Sequence, residues 1–165
     1  MAAIKLGEMD WHKTMVELKH KHLKTEYPAA YEASGGSTMN VKPYNDTTTN
    51  GLTVAILDFL KFSKHYANRI NCMGISRRIN GKMVYTPSST RKVVADIHSI
   101  INGRHISIEV KCKATKDRMS KEQNQERERV ESAGGIYYVA EDMASFIHWY
   151  KQLIENNNKI QSYGI

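Results

Sequence analysis

Asp96, Glu109 and Lys111 are the residues of this chain best placed to do chemistry together. They lie in the stretch VVADIHSIINGRHISIEVKCK, residues 93–113. Asn102-Gly103 predicts a two-residue hairpin turn there, because a type I′ turn needs positive φ at both positions. That turn sets a register: Ile101 faces Arg104, Ile100 His105, Ser99 Ile106, His98 Ser107 and Ile97 Ile108. One step further, Asp96 falls opposite Glu109. Side chains alternate between the faces of a strand. Ala95, Ile97, Ile101, Ile106, Ile108 and Val110 therefore share an apolar face, and Asp96, His98, Ser107, Glu109 and Lys111 share the other. Facing Cβ atoms sit about 4.5–5.5 Å apart, where like charges destabilise. A divalent cation between the carboxylates would relieve this, and Mg²⁺ characteristically takes one or two carboxylates plus substrate phosphate oxygens. Lys111 adds a fixed cation beside the pair. A solvated sheet face can carry Glu-x-Lys equally well, and the register match is what strengthens the metal reading.

The charge around this hairpin is uneven. The chain carries +7 overall, but residues 61–121 hold 14 Lys and Arg against three acids (Asp96, Glu109 and Asp117), a net +11, while the rest sums to −4. A basic segment whose few acids include the hairpin pair points to a polyanion, with nucleic acid favoured over a merely solvated basic face. Arg77, Arg78, Arg91, Lys92, Lys113 and Lys116 are the candidates for gripping a sugar-phosphate backbone without reading sequence. No helix-turn-helix or zinc finger supplies a base-reading element, so recognition of DNA shape is expected.

The elements that must position these residues follow from pattern. Residues 11–26 read as a helix capped by Asp10, with Trp11, Met15, Leu18 and His22 on one face and Pro28 ending it. Residues 32–49 read as a linker or long loop, which makes 1–45 an N-terminal helical extension outside the main core. The domain proper is then 46–156, with a flexible tail at 157–165. A second helix is expected over 51–64, capped by Asn50, with Leu52, Ile56, Phe59 and Leu60 facing inward. Short strands within 67–80 carry turns at Met73-Gly74 and Asn80-Gly81, and 86–90 is loop. Ser120 to Gln123 matches a capping box that opens a helix over 121–133. Val130 and Ala133 mark its buried side, and stepping back through Arg127 brings Gln123 toward the hairpin carboxylates. Gln123 could equally be a capping residue alone. Gly134-Gly135 ends that helix. A strand at 136–139 and an amphipathic helix at 142–155 complete the chain.

The 165 residues, 41% hydrophobic and 25% charged, suit one soluble α/β domain. No run of 18 apolar residues and no signal peptide is apparent. Cys72 and Cys112 match neither a zinc spacing nor a disulfide framework. A cytoplasmic setting with no membrane association is expected.

Taken together, ADIHSIINGRHISIEVK (95–111), SKEQ (120–123) and AGGIYYVA (133–140) resemble the PD-(D/E)XK nuclease superfamily, and within it the small stand-alone VRR-NUC (virus-type replication–repair nuclease) domains of phages and bacteria. The likeness spans about residues 48–154. It implies a restriction-endonuclease-like α/β core: a central mixed sheet flanked by helices in αβββαβ order. It implies a metal-dependent DNA endonuclease acting on branched or junction DNA, a role in DNA repair, and a homodimer for symmetric cutting. By position, Asp96 and Glu109 correspond to the metal-binding acids, Lys111 to the signature lysine and Gln123 to the helix glutamine. The backbone carbonyl of Val110 completes the metal site in such folds. The implied cofactor is Mg²⁺, with Mn²⁺ able to substitute. The chain departs from the pattern in two places. Asn50 stands near the slot of an early glutamate, which puts the number of metal ions in question, and Ala95 precedes the first aspartate where many relatives have glycine. The rival expectations are a non-catalytic DNA-binding module on the same fold and an RNA-processing nuclease.

Overall fold

The computed structural model describes residues 10–36, 43–70, 75–86 and 93–163. Its elements are α1 (Trp11–Glu26), α2 (Pro28–Ala33), α3 (Thr49–Phe62), β1 (Tyr66–Arg69), β2 (Ile75–Ile79), β3 (Lys82–Thr86), β4 (Ile97–Ile101), β5 (Arg104–Val110), α4 (Lys121–Ser132), β6 (Ile136–Ala140) and α5 (Met143–Tyr163). Four strands form a mixed sheet in the order β1-β4-β5-β6, and β2 and β3 form a separate two-stranded sheet. β1 and β5 run antiparallel to β4, while β6 runs parallel to β5. With the β2–β3 hairpin set aside, the sheet and the helices around it follow αβββαβ order. Among the described residues no helix is long and apolar enough to cross a membrane.

The hairpin register read from Asn102-Gly103 holds pair for pair, from Ile101↔Arg104 to Ile97↔Ile108. Both turn residues have positive φ, 49° and 75°, as a type I′ turn demands. Ile97, Ile101, Ile106, Ile108 and Val110 are buried in one apolar cluster with Leu52, Ile56, Phe59 and Leu60 of α3 and Met143, Phe146 and Ile147 of α5. The other sheet face lies under α4, which closes a β5-α4-β6 crossover of the kind parallel strands require.

The ends of several elements differ from expectation for identifiable reasons. Thr48, not Asn50, caps α3, its Oγ1 accepting from the Gly51 N–H at 3.1 Å. The preceding chain is anchored: Asp46 Oδ2 accepts from the Met143 N–H at 3.1 Å, and Cys112 Sγ donates to the Asp46 carbonyl at 3.1 Å. Gly51 lets the Asn45 carbonyl pass where any Cβ would collide with it. α1 ends at Glu26, before Pro28, as expected, and Pro28 also opens the short α2, which was read as loop from residue 32, at a first-turn position where its missing N–H costs nothing. Thr86, read as loop, closes β3, and the final helix runs on to Tyr163 rather than ending at 155. The turn expected at Met73-Gly74 lies outside the described residues.

The largest difference concerns the N-terminal helix. Met15 is fully buried in the central cluster, and Trp11, Leu18 and Tyr44 pack against its margin. The helix therefore belongs to the core rather than standing outside it. Its amphipathic face marked it as a helix without revealing its partner. Met15→Ala is expected to destabilise the whole domain by about 2–5 kcal/mol, within one cooperative transition. A melting curve whose main transition is unmoved would show the helix to be an appendage.

Candidate functional site

The site is built at one end of the sheet, where β4 begins and β5 ends. Ile97 is the last residue in the β4 ladder, so Asp96 sits in the bend just before it. The bend is held from both sides. The Asp96 carbonyl accepts from the Ile70 N–H at 2.8 Å, and its Oδ2 accepts from the Val110 N–H at 2.9 Å. The N–H and C=O of one strand residue point to the same edge. The Val110 carbonyl thus lies on the strand edge that faces β4.

Glu109 lies on the α4-covered face and is only 3% exposed. Each oxygen is occupied. Lys111 Nζ lies 3.1 Å from Oε1, and Gln123 Nε2 donates to the same atom. Tyr137 Oη donates to Oε2 at 3.3 Å. A carboxylate so far out of water is costly unless paired and hydrogen-bonded, and these three groups provide that. Its pKa is still raised, first by burial and then by the Asp96 charge, with Lys111 and Tyr137 pulling it back down. The Tyr137 hydroxyl is pushed up in turn by burial and by Glu109. A solvated-face account of the hairpin acids does not fit a carboxylate this buried.

The Gln123 side chain both caps α4 and reaches Glu109. Its Oε1 accepts from the Ser120 N–H at 2.8 Å while Ser120 Oγ accepts from the Gln123 N–H at 3.2 Å, completing the capping box. Its Nε2 reaches Glu109. The inner side of α4 differs from expectation at its other positions. Glu126 and Val130 face the sheet, while Arg127 is turned outward to Glu131 at 3.0 Å and Ala133 is exposed. Glu126 is buried with Arg129 3.3 Å away, near the edge-on pair His98 and His105, whose ring centroids lie 5.1 Å apart.

The two carboxylates keep acceptor positions that a divalent cation could use. A carboxylate offers about four lone-pair positions. Glu109 uses three and Asp96 one, and the Val110 carbonyl adds a further hard oxygen. Among the described residues no group of three or more His, Cys, Asp or Glu side chains converges, so a cation here would rest on two carboxylates and a carbonyl. That donor set suits Mg²⁺, which keeps its remaining positions for water and phosphate. Asn50 is engaged elsewhere. Its Oδ1 accepts from Arg69 Nη1 at 2.8 Å.

The cations expected to grip nucleic acid separate into groups. Lys113 and Lys116 are exposed in the turn just after the site, Lys116 with a positive φ of 56°. Arg77 and Arg78 lie in the detached β2–β3 sheet. Arg91 and Lys92 lie outside the described residues. Tyr137, Glu126 and Arg69 escaped the sequence reading. Tyr137 alone left a trace, since alternation along 136–140 puts it on one face with Val139, but its meeting with Glu109 depends on the parallel β5–β6 pairing.

No protein-family model, curated protein or solved structure matches the chain.

Glu109 supplies a pH prediction. A group whose folded pKa is raised adds stability that is full below its unfolded value, about 4.3, and is lost as pH climbs through the folded value. In metal-free buffer, this group should therefore lower the melting temperature as pH rises from about 4 toward neutral. Asp96→Asn keeps an acceptor for the Val110 N–H but removes the second cause of the shift. The decline should shrink, leaving the variant at pH 7 at least as stable as wild type, by up to about 1 kcal/mol or 2–4 °C. Melting curves in EDTA across this range check it, and a variant that melts lower at pH 7 contradicts it.

Proposed function

We propose that this protein is a Mg²⁺-dependent DNA endonuclease on a restriction-endonuclease-like core, of the VRR-NUC type, selective for branched or junction DNA. The observation that carries the reading is the buried Glu109, set beside Asp96 and held by Lys111, Gln123 and Tyr137 at the sheet end. Asp96, Glu109 and the Val110 carbonyl would hold the cation. A bound Mg²⁺ lowers the pKa of a water and polarises a phosphoryl oxygen.

The chain's own residues supply the rest. Lys111, fixed against Glu109, places a positive charge where a phosphate gains negative charge, and needs no rearrangement to do so. Gln123 locks Glu109 in one orientation because its own amide is pinned by the capping box, and Tyr137 fixes the second oxygen. Lys113 and Lys116 hold the backbone beside the cut. One such site cuts one strand, so symmetric cutting of a junction calls for two copies of the chain. Manganese, which accepts similar oxygen donors, should substitute.

The occupied state of Glu109 and the Asn50–Arg69 bond favour a second reading, a DNA-binding module that keeps the fold without cleaving. Cleavage of end-labelled four-way junction, linear duplex and RNA hairpin, with Mg²⁺ and with EDTA, separates the two. The expected result is Mg²⁺-dependent cutting of the junction, lost in Asp96→Asn and lowered about 10²–10³-fold in Lys111→Ala. Tight binding with no cutting in any metal would establish the module, and cutting confined to the RNA would change the substrate class.

Gln123→Glu sharpens the assignment. It preserves the cap but brings a third carboxylate to the site. Cleavage should fall steeply, with the metal-free protein losing stability at pH 7 and regaining it near pH 4. Wild-type cutting by both this variant and Gln123→Ala would reduce Gln123 to its cap.

A further inference from the structure

The β2–β3 hairpin is detached from the main sheet. It pairs Ser76↔Tyr85, Arg77↔Val84, Arg78↔Met83 and Ile79↔Lys82 around Asn80-Gly81, whose φ values of 48° and 79° repeat the tight turn of the β4–β5 hairpin. Every residue from 76 to 86 is exposed. Alternation puts Arg77, Ile79, Lys82 and Val84 on one side of the ribbon and Ser76, Arg78, Met83 and Tyr85 on the other. Met83 and Tyr85 are 67% and 64% exposed. A two-stranded ribbon is marginally stable alone, and apolar side chains displayed on both sides mark a surface meant to be covered.

Charge decides what covers it. The ribbon holds Arg77, Arg78 and Lys82 and no acid, and residues 61–95 around it carry eight Lys and Arg and again no acid. A second copy of the ribbon would meet it with like charge, the same cations opposed edge to edge. A polyanion that also offers apolar and hydrogen-bonding surface fits both properties.

We propose that the β2–β3 hairpin is an arm that enters the major groove of duplex DNA, an inference that shares with the nuclease reading only the premise that the polyanion is DNA. The major groove, about 12 Å wide, admits a two-stranded β-ribbon. Cations on both sides of the ribbon can reach the phosphates along both walls of the groove. The tip leads, and Met83 and Tyr85 take the apolar groove floor, where thymine methyl groups lie.

The test measures binding of a fluorescent duplex in EDTA across a salt series, with dimethyl sulfate footprinting of guanine N7 in the major groove and adenine N3 in the minor groove. The variants are Arg77→Ala/Arg78→Ala/Lys82→Ala and Met83→Ser/Tyr85→Ser. The triple variant should bind at least tenfold more weakly at moderate salt, with a log–log slope reduced by about three contacts, and should lose guanine N7 protection. The double variant should weaken binding with the slope unchanged. Both should melt as wild type does. Wild-type affinity and slope in the triple variant would overturn the proposal. So would protection confined to adenine N3, or a wild-type dimer in sedimentation that Met83→Ser/Tyr85→Ser converts to monomer with DNA affinity intact. Asp96→Asn should keep arm-dependent binding, so loss of cutting there leaves the arm untouched, and normal cutting by a fully binding arm variant overturns the arm alone.

Discussion

The buried carboxylate of Glu109 is the constraint around which the site side of the molecule is arranged. Removing a carboxylate from water demands compensation at every oxygen, and no single element supplies it. The chain just after β5 brings Lys111, α4 brings Gln123 and β6 brings Tyr137. The three must be in place together, so the β5-α4-β6 crossover and the electrostatics of the site stand or fall as one unit. Residual disfavour remains, visible in the raised pKa of Glu109 beside Asp96.

Gln123 shows how local and tertiary requirements coincide. A glutamine at the third helical position normally faces back toward its own cap. Here the same amide uses its oxygen for the cap and its nitrogen for Glu109. The helix start and the site geometry are therefore defined by one side chain, and α4 needs little apolar surface to be placed. That explains how so polar a helix, with Glu126 as its buried residue, can cover a sheet face.

Legibility from sequence followed the range of the interaction. The β4–β5 register, the capping box and the helix-ending Gly134 are short-range, and each was readable because a turn or cap requires a particular residue. Asp96, Glu109, Lys111 and Gln123 could be placed on one side of the structure by such rules alone. Tyr137 could not, because parallel pairing joins segments whose register no turn dictates. Arg69 and Asn50 meet through the packing of α3 against β1, and the first turn of α3 moved because Asp46 is tethered to α5 and Cys112. The role of Met15 was hidden for the same reason: periodicity reveals that a helix has an inner face, not what lies beneath it.

Placing Met15 in the core has a consequence for biosynthesis. The cluster that receives it includes Met143, Phe146 and Ile147 of α5, so the first and last helices of the fold close over the same sheet face. Contacts this distant along the chain are slow to form, and translation delivers their two halves many seconds apart at about 5–20 residues per second. Until α5 emerges, Leu52, Ile56, Phe59 and the inner isoleucines of the hairpin have no lid. Between the completion of β5 at Val110 and the emergence of α5 from Met143, the nascent chain therefore carries a sheet face whose apolar cover is incomplete.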